Sequence, residues 1–258
     1  MRTWRGGWPT MDELEAIFTR EDMTFEEAVD YFKERVPVPP AQFYKLAAKY
    51  KGLAFTVSGY TSAQILGKFY EEILAALEEG NTLSEFQANM NEFLAAEGYE
   101  GVTPFQADNI FRTNIQTAYN VGHYEQMTDP DVLALRPYWQ YQAVGDEHTR
   151  PSHLAMDGRV YPADDPFWDT WFPPNGFRCR CTVTSLSERQ VREREIKVDH
   201  GLPRSAELPD GRYVNILPDP SFSTNPAKVR FEPDLKDCPE SIVRAYQNRE
   251  KGNPATAP

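Results

Sequence analysis

Pro137-Tyr-Trp-Gln-Tyr-Gln-Ala-Val144 is where this chain changes its period. Upstream of it, apolar residues recur at three- and four-residue steps. Within it, Trp139, Tyr141 and Ala143 alternate with Tyr138, Gln140 and Gln142, the repeat of a half-buried strand. A helical amino-terminal half followed by a small mixed core of short strands makes the expected class α+β.

The upstream half is punctuated by helix signals. Thr24-Phe-Glu-Glu27 reads as a capping box ahead of Ala28, Val29, Tyr31 and Phe32, and Pro37-Val-Pro-Pro40 stops that helix. Pro40 suits the first position of a helix reaching Lys51, Gly52 suits its end, and Leu53 to Val57 reads as a short extended run. Leu66, Phe69, Tyr70, Ile73, Leu74 and Leu77 form the best helical stripe, ended by Gly80. Thr82-Leu-Ser-Glu85 opens a helix burying Phe86, Met90, Phe93 and Leu94 before Gly98. Thr103-Pro-Phe-Gln106 opens another that runs to about Met127, whose polar residues Arg112, Asn120 and His123 have two readings, a face turned to a site and, the first expectation, a face turned to solvent.

Downstream, Gly145 to Asp157 reads as loop, Gly158 to Tyr161 as a short strand and Pro162 to Gly176 as a long loop. Arg180 to Ser185 reads as a strand, and Ser187-Glu-Arg-Gln190 caps a short helix. Beyond His200 the chain is rich in Pro, Gly and Asp, with one amphipathic helix around Ser241 to Glu250, and reads as an extended arm that wraps a neighbour. The expected division is a helical region over 1–102, a core over 103–198 and the arm over 199–258.

The chemistry concentrates beside the strand. Asp146-Glu-His-Thr-Arg-Pro-Ser-His153 is followed by Phe177-Arg-Cys179-Arg-Cys181-Thr182, so two of three Cys and two of four His share one window. Residues two apart on a strand face the same way, so Cys179 and Cys181 project together, His153 is the best third metal donor, and Asp146 or His148 supplies a fourth. A closed structural zinc site clamping the loops is the metal reading. The competing reading makes both thiols small core hydrophobes and His153 a locally hydrogen-bonded ring. Cys238 reads as a lone structural thiol, and an odd cysteine count argues against a disulfide framework. The cysteine spacing does not suit a zinc deaminase, and the chain has no His-Glu-x-x-His, phosphate-cradling Gly-rich loop or Gly-x-Ser-x-Gly elbow.

Composition limits the partners. A net charge of -12 over 258 residues disfavours broad capture of nucleic acid; the arginine-rich stretch from Arg178 to Arg204 reads first as a solvated helix face of mixed Glu and Arg and otherwise as a local exception. No apolar run of membrane-spanning length and no signal-peptide pattern at Met1-Arg-Thr-Trp-Arg-Gly-Gly is present, so neither membrane insertion nor secretion is expected.

These motifs together resemble the phage Mu F-like head morphogenesis family, also called minor head or minor capsid proteins. The likeness rests on Asp146-x-x-Thr149-Arg150-x-x-His153, on Leu154-Ala-Met-Asp157-Gly158-Arg-Val and on Pro173-Pro-Asn-Gly-Phe-Arg-Cys179-Arg-Cys181-Thr. It extends to Ala28-Val-Asp-Tyr-Phe-Lys33, Ala54 to Gly59, Leu77 to Phe86 and Pro218 to Pro226, with Ser221 and Ala227 where glycine is common. In other branches a Cys tends to stand where His153 stands here, an exchange natural between metal ligands. The resemblance implies a virion component present in few copies at the portal vertex of the head. It would be assembled in the host cytoplasm, dock on portal or major capsid subunits and assist DNA packaging or delivery, without an established reaction. Two other classes stay open. One is a metal-dependent nuclease or other nucleic-acid-modifying enzyme using Asp146, His148 and His153, and the other is an internal DNA-binding virion protein.

Overall fold

The structure is a computed structural model, and it describes residues 25–45, 54–219 and 221–228. Helix α1 (Glu26–Lys33) buries Ala28, Val29 and Phe32 and carries its acidic residues in the first turn and Lys33 in the last, the favourable sense for the helix dipole. Thr24, the expected cap, lies outside the described residues. Strand β1 (Val36–Pro37), the single turn α2 (Pro40–Phe43) and strand β2 (Ala54–Phe55) follow. Pro40 takes the first helical position as expected, while residues 46–53 lie outside the description. The two strands pair in parallel, Val36 beside Ala54 and Pro37 beside Phe55, a contact that local patterning did not reveal.

Helix α3 (Ala63–Glu79) buries Leu66, Phe69, Ile73 and Leu77 of the expected stripe, with Tyr70 and Leu74 half-buried at its edge. It ends where Gly80 adopts φ 71°, a left-handed conformation open to glycine without steric cost. Helix α4 (Leu83–Ala96) starts in the expected reciprocal cap between Thr82 and Glu85, and helix α5 (Pro104–Thr128) in that between Thr103 and Gln106. Phe32, Phe55, Leu66, Phe69, Phe86, Met90, Ala107 and Ala118 meet in one apolar cluster formed by α1, β2, α3, α4 and α5.

The second cluster begins at the other end of α5, with Met127, and is built on a small sheet. Helix α6 (Pro130–Leu135) leads to β3 (Tyr138–Gln142), which buries Trp139 and Tyr141 and leaves Tyr138, Gln140 and Gln142 at intermediate exposure, the predicted alternation. The turn α7 (Pro151–Leu154), β4 (Val160–Pro162), the short helix α8 (Phe167–Trp171) and β5 (Thr182–Leu186) follow. The sheet order is β4-β3-β5, all antiparallel, with Trp139 opposite Tyr161 on one side and Ser185 on the other. Helix α9 (Glu188–Glu193) carries the expected Ser187 to Gln190 cap.

Three expectations change. Gly145 to Asp157 contains the α7 turn, which Pro151 opens. Pro162 to Gly176 is no surface loop: Phe167, Trp168, Trp171 and Phe172 are fully buried, and their packing on Trp139 and Tyr161 forms the centre of the second core. Asp165 pins this segment by accepting from the Phe167 and Gly201 amides at 2.8 and 3.1 Å. The arm, as far as Lys228, folds back rather than leaving. Its hairpin, β6 (Ser205–Glu207) with β7 (Tyr213–Asn215), places Ala206 in the second core alongside Leu208 and Ile216, and Asn225 N–H donates to the Asp169 carbonyl at 2.8 Å. The helix expected at Ser241 to Glu250 lies outside the described residues.

Helix α5 crosses α1 at a point where no side chain fits. A Cβ built on Gly122 meets the Ala28 amide nitrogen at 2.7 Å, a backbone atom that cannot swing away. Gly122→Ala is therefore expected to destabilise the protein by about 1–3 kcal/mol through overpacking, read as a lower urea midpoint. Gly67→Ala, at a helical glycine with nothing within 4 Å, is the control and should be neutral or stabilising.

Candidate metal centre

Two segments converge at the thiol group. Pro151 starts the α7 turn, which drives His153 inward until 2% of it remains exposed. The segment before β5 brings Cys179 and Cys181, 3% and 2% exposed, while the side chain of Arg180 between them stays partly in solvent. The thiols thus face together as expected, though they precede the strand rather than lie on it. Local backbone explains this. Arg178 takes φ 57°, its N–H donates to Thr113 Oγ1 at 3.1 Å, its Nε sits 2.6 Å from Asp108, and its guanidinium lies 5.3 Å over the Phe105 ring. Anchored on α5 in this way, the chain turns both cysteines into the core.

His153 Nδ1 lies 3.6 Å from Cys179 Sγ and 3.4 Å from Cys181 Sγ, and all three donor atoms fall within 4.8 Å of one another. Among the described residues this is the one group of three or more His, Cys, Asp or Glu side chains so placed. The Cys179 thiol is held well below its ordinary value by its hydrogen bond with Cys181, against burial, with help from His153 and the Asn175 amide. The same bond and burial push Cys181 up. The two sulfurs are thus close enough for each to set the other's acidity, as neighbouring thiols on one site do. Tyr141 beside them is raised by burial first and by the sulfur charge second, and its hydroxyl donates to Asn175 Oδ1 at 2.9 Å.

Asp146 is not brought to this group. Both its oxygens accept from Arg180, at 2.7 and 2.6 Å, and Oδ1 also accepts from Thr149 Oγ1 and the His148 amide, each at 3.1 Å. Arg180 holds its carboxyl well below the usual carboxylate range. The arginine, placed by sequence on the outward face between the cysteines, competes successfully for the carboxylate expected on the metal. His148 is mostly exposed, 3.6 Å from Glu147, yet borders a cavity of about 20 Å³ shared with His153, Cys179 and Cys181. Cys238 lies outside the described residues.

The expected solvent face of α5 needs a partial correction. Arg112 is half-exposed and pairs with Asp108. Asn120, however, is 2% exposed and donates to the Cys181 carbonyl at 3.1 Å, Gln116 donates to the same oxygen at 3.2 Å, and His123 Nε2 lies 2.9 Å from the Val183 carbonyl. Their spacing is the signal that could have revealed them: 116, 120 and 123 fall on one helical face. The row satisfies backbone carbonyls at the edge of the sheet that would otherwise be buried and unpaired.

Residues 67–184, from within α3 through the cysteine pair into β5, match the family described as Phage Mu protein F like protein, a segment that contributes to both cores and contains the thiol group. The resemblance drawn from the motifs holds. The chain is 31% identical over 263 residues to the putative capsid assembly protein F of Escherichia phage Mu, an alignment covering 88% of this chain and 60% of that protein. It is 37% identical over 158 residues to the Mu-like prophage FluMu F protein of Haemophilus influenzae, covering 56% of this chain and 37% of that one. The chain thus spans less than two thirds of the length of either relative. No solved structure matches it.

Two measurements test this arrangement. Asn120→Ala is expected to cost about 0.5–1.5 kcal/mol, the range for one lost hydrogen bond, since Gln116 still donates to the Cys181 carbonyl, and to speed labelling of Cys179 and Cys181 by a thiol reagent; unchanged labelling would show that Asn120 does not guard the pair. The second concerns acid. Because the folded carboxyl of Asp146 is depressed, its ion pair contributes above the ordinary carboxylate pKa and is lost as pH falls through the depressed value. Amide exchange of residues 146–150 should therefore stay slow through mildly acidic pH and rise only in strong acid, earlier in Arg180→Gln.

Proposed function

We propose that this chain is a phage head protein acting in head morphogenesis, a minor component that docks on portal or major capsid subunits at the portal vertex. The observation that carries this reading is the match of residues 67–184 to the Mu F-like family, with a relative named as a putative capsid assembly protein. The architecture is consistent with a scaffold role. Two apolar cores share one 25-residue helix, which makes a stiff unit on which partner-binding loops can be held. The virion head is the proposed location, and no helix among the described residues is long and apolar enough to cross a membrane.

Two features weigh against the nuclease reading. Its carboxylate is not free, since both oxygens of Asp146 are taken by Arg180, and His153 is turned into the core beside the thiols. The cavity at the thiols, about 20 Å³, holds a water-sized ligand and not a nucleotide. A net charge of -12 favours a protein partner over primary DNA binding, with packaging or delivery of DNA as a downstream consequence of assembly.

The test is assembly itself. Expressed with its cognate portal and major capsid proteins, the chain is expected to sediment with portal complexes or head intermediates, and a phage lacking it should accumulate defective heads. Normal infectious heads formed in its absence, with no association at any stage, would remove the proposal.

A further inference from the structure

We propose that His153, Cys179 and Cys181 hold one soft divalent cation of the zinc class, with His148, which lines the same cavity from an exposed position, turning in as the fourth ligand. This goes beyond the head-assembly reading and does not depend on it. Zinc sits about 2.3 Å from sulfur and about 2.0–2.1 Å from imidazole nitrogen, which at a tetrahedral angle separates ligand sulfur and nitrogen by about 3.5–3.6 Å. The distances here are 3.6 and 3.4 Å, close to the separation expected of sulfur and nitrogen on one ion.

The surroundings argue against two small hydrophobes beside a locally bonded ring. Both sulfurs aim at one nitrogen, Nδ1, whereas His153 Nε2 is buried and has no hydrogen-bond partner. Two sulfurs converging on one ring nitrogen is the arrangement of ligands around a shared ion, and it is this convergence on Nδ1 that favours ligation. The Asn175 amide bonding to Cys179 is the outer support expected of a thiolate ligand. Thiolate and imidazole donors together select zinc over magnesium or calcium.

The fourth ligand follows from the cavity of about 20 Å³ against these atoms. Of the residues lining it, His148 is the one further side chain that binds a soft metal. Asp146 acts as a positioning residue: held by Arg180, it accepts the His148 amide and so fixes the turn that carries the imidazole. Two thiolates and two neutral imidazoles leave the loaded site uncharged, as a buried centre requires. The ion would join the α7 turn to the segment before β5, and the grip of Gln116 and Asn120 on the Cys181 carbonyl would pass that constraint to α5.

The experiment uses the untagged full chain. Metal analysis is expected to find one equivalent of zinc, and the apo protein titrated with Co²⁺ should show the absorption of a four-coordinate ion with thiolate charge transfer, reversed by Zn²⁺. His153→Cys should keep binding and add thiolate intensity, which a merely structural role for the ring would not produce. Cys179→Ser and Cys181→Ser should lose stoichiometric binding; if either fails to fold, the parent titration and His153→Cys decide. His148→Ala should weaken affinity tenfold or more while thiolate absorption persists, and Asp146→Asn should weaken it less. A parent chain that takes up no stoichiometric metal, or takes it up without thiolate absorption, overturns the site. His148→Ala binding as tightly as the parent overturns the fourth ligand. Neither result bears on co-sedimentation with heads, so failure here and failure of the assembly role are distinguishable.

Discussion

The hydrogen bonds that Gln116, Asn120 and His123 of α5 make to the carbonyls of Cys181 and Val183 hold the two halves of this protein to one another. The amino-terminal helices and the sheet both pack along α5, α1 reaching as far as Gly122 and the second core beginning at Met127. Between them the helix has few large apolar residues to offer: Ala118 and Gly122 serve the approach of α1, and Gln116, Asn120 and His123 serve β5. Junctions of this kind are set by geometry more than by area. Amide and imidazole donors at fixed spacing accept one register of the strand only, since a slip of one residue would present side chains where carbonyls are needed.

That junction explains why the site stands where it does. Arg178 is fastened to α5 through Thr113 and Asp108, and Cys181 through Gln116 and Asn120, so the segment carrying both thiols is held at each end by the same helix. His153 arrives from the opposite side on a turn started by Pro151. Asp146 and Arg180 close over the outside. The thiols are thereby shielded without being part of any regular element, and their convergence comes from one left-handed residue and four polar anchors.

Much of the fold was legible because it is written in local chemistry. The reciprocal caps at Thr82, Thr103 and Ser187 mark helix starts through bonds between residues three apart, and they stand where they were expected. The alternation in Pro137 to Val144 is equally local. Legibility failed where a distant partner decides the outcome. Asn120 and His123 look like solvent residues until a strand some sixty positions away needs donors. Pro162 to Gly176 looks like a loop because prolines and aspartates interrupt it, yet its aromatic side chains are the bulk of a core whose other walls come from β3 and β4. For the centre, residue types identified His153 and the cysteines, but nothing local could tell that Arg180 would capture Asp146. Two charges at unknown distance cannot be ranked from sequence.

The dense aromatic packing has an optical corollary. Trp139, Trp168 and Trp171 are all sealed from water, and the ring of Trp171 stands 5.8 Å from that of His153 in an edge-to-face arrangement. Indole emission from such a place is blue-shifted and sensitive to a neighbouring imidazole and sulfur. The protein thus carries a built-in fluorophore within contact range of its most reactive side chains, and its own light reports on what happens there without any added dye.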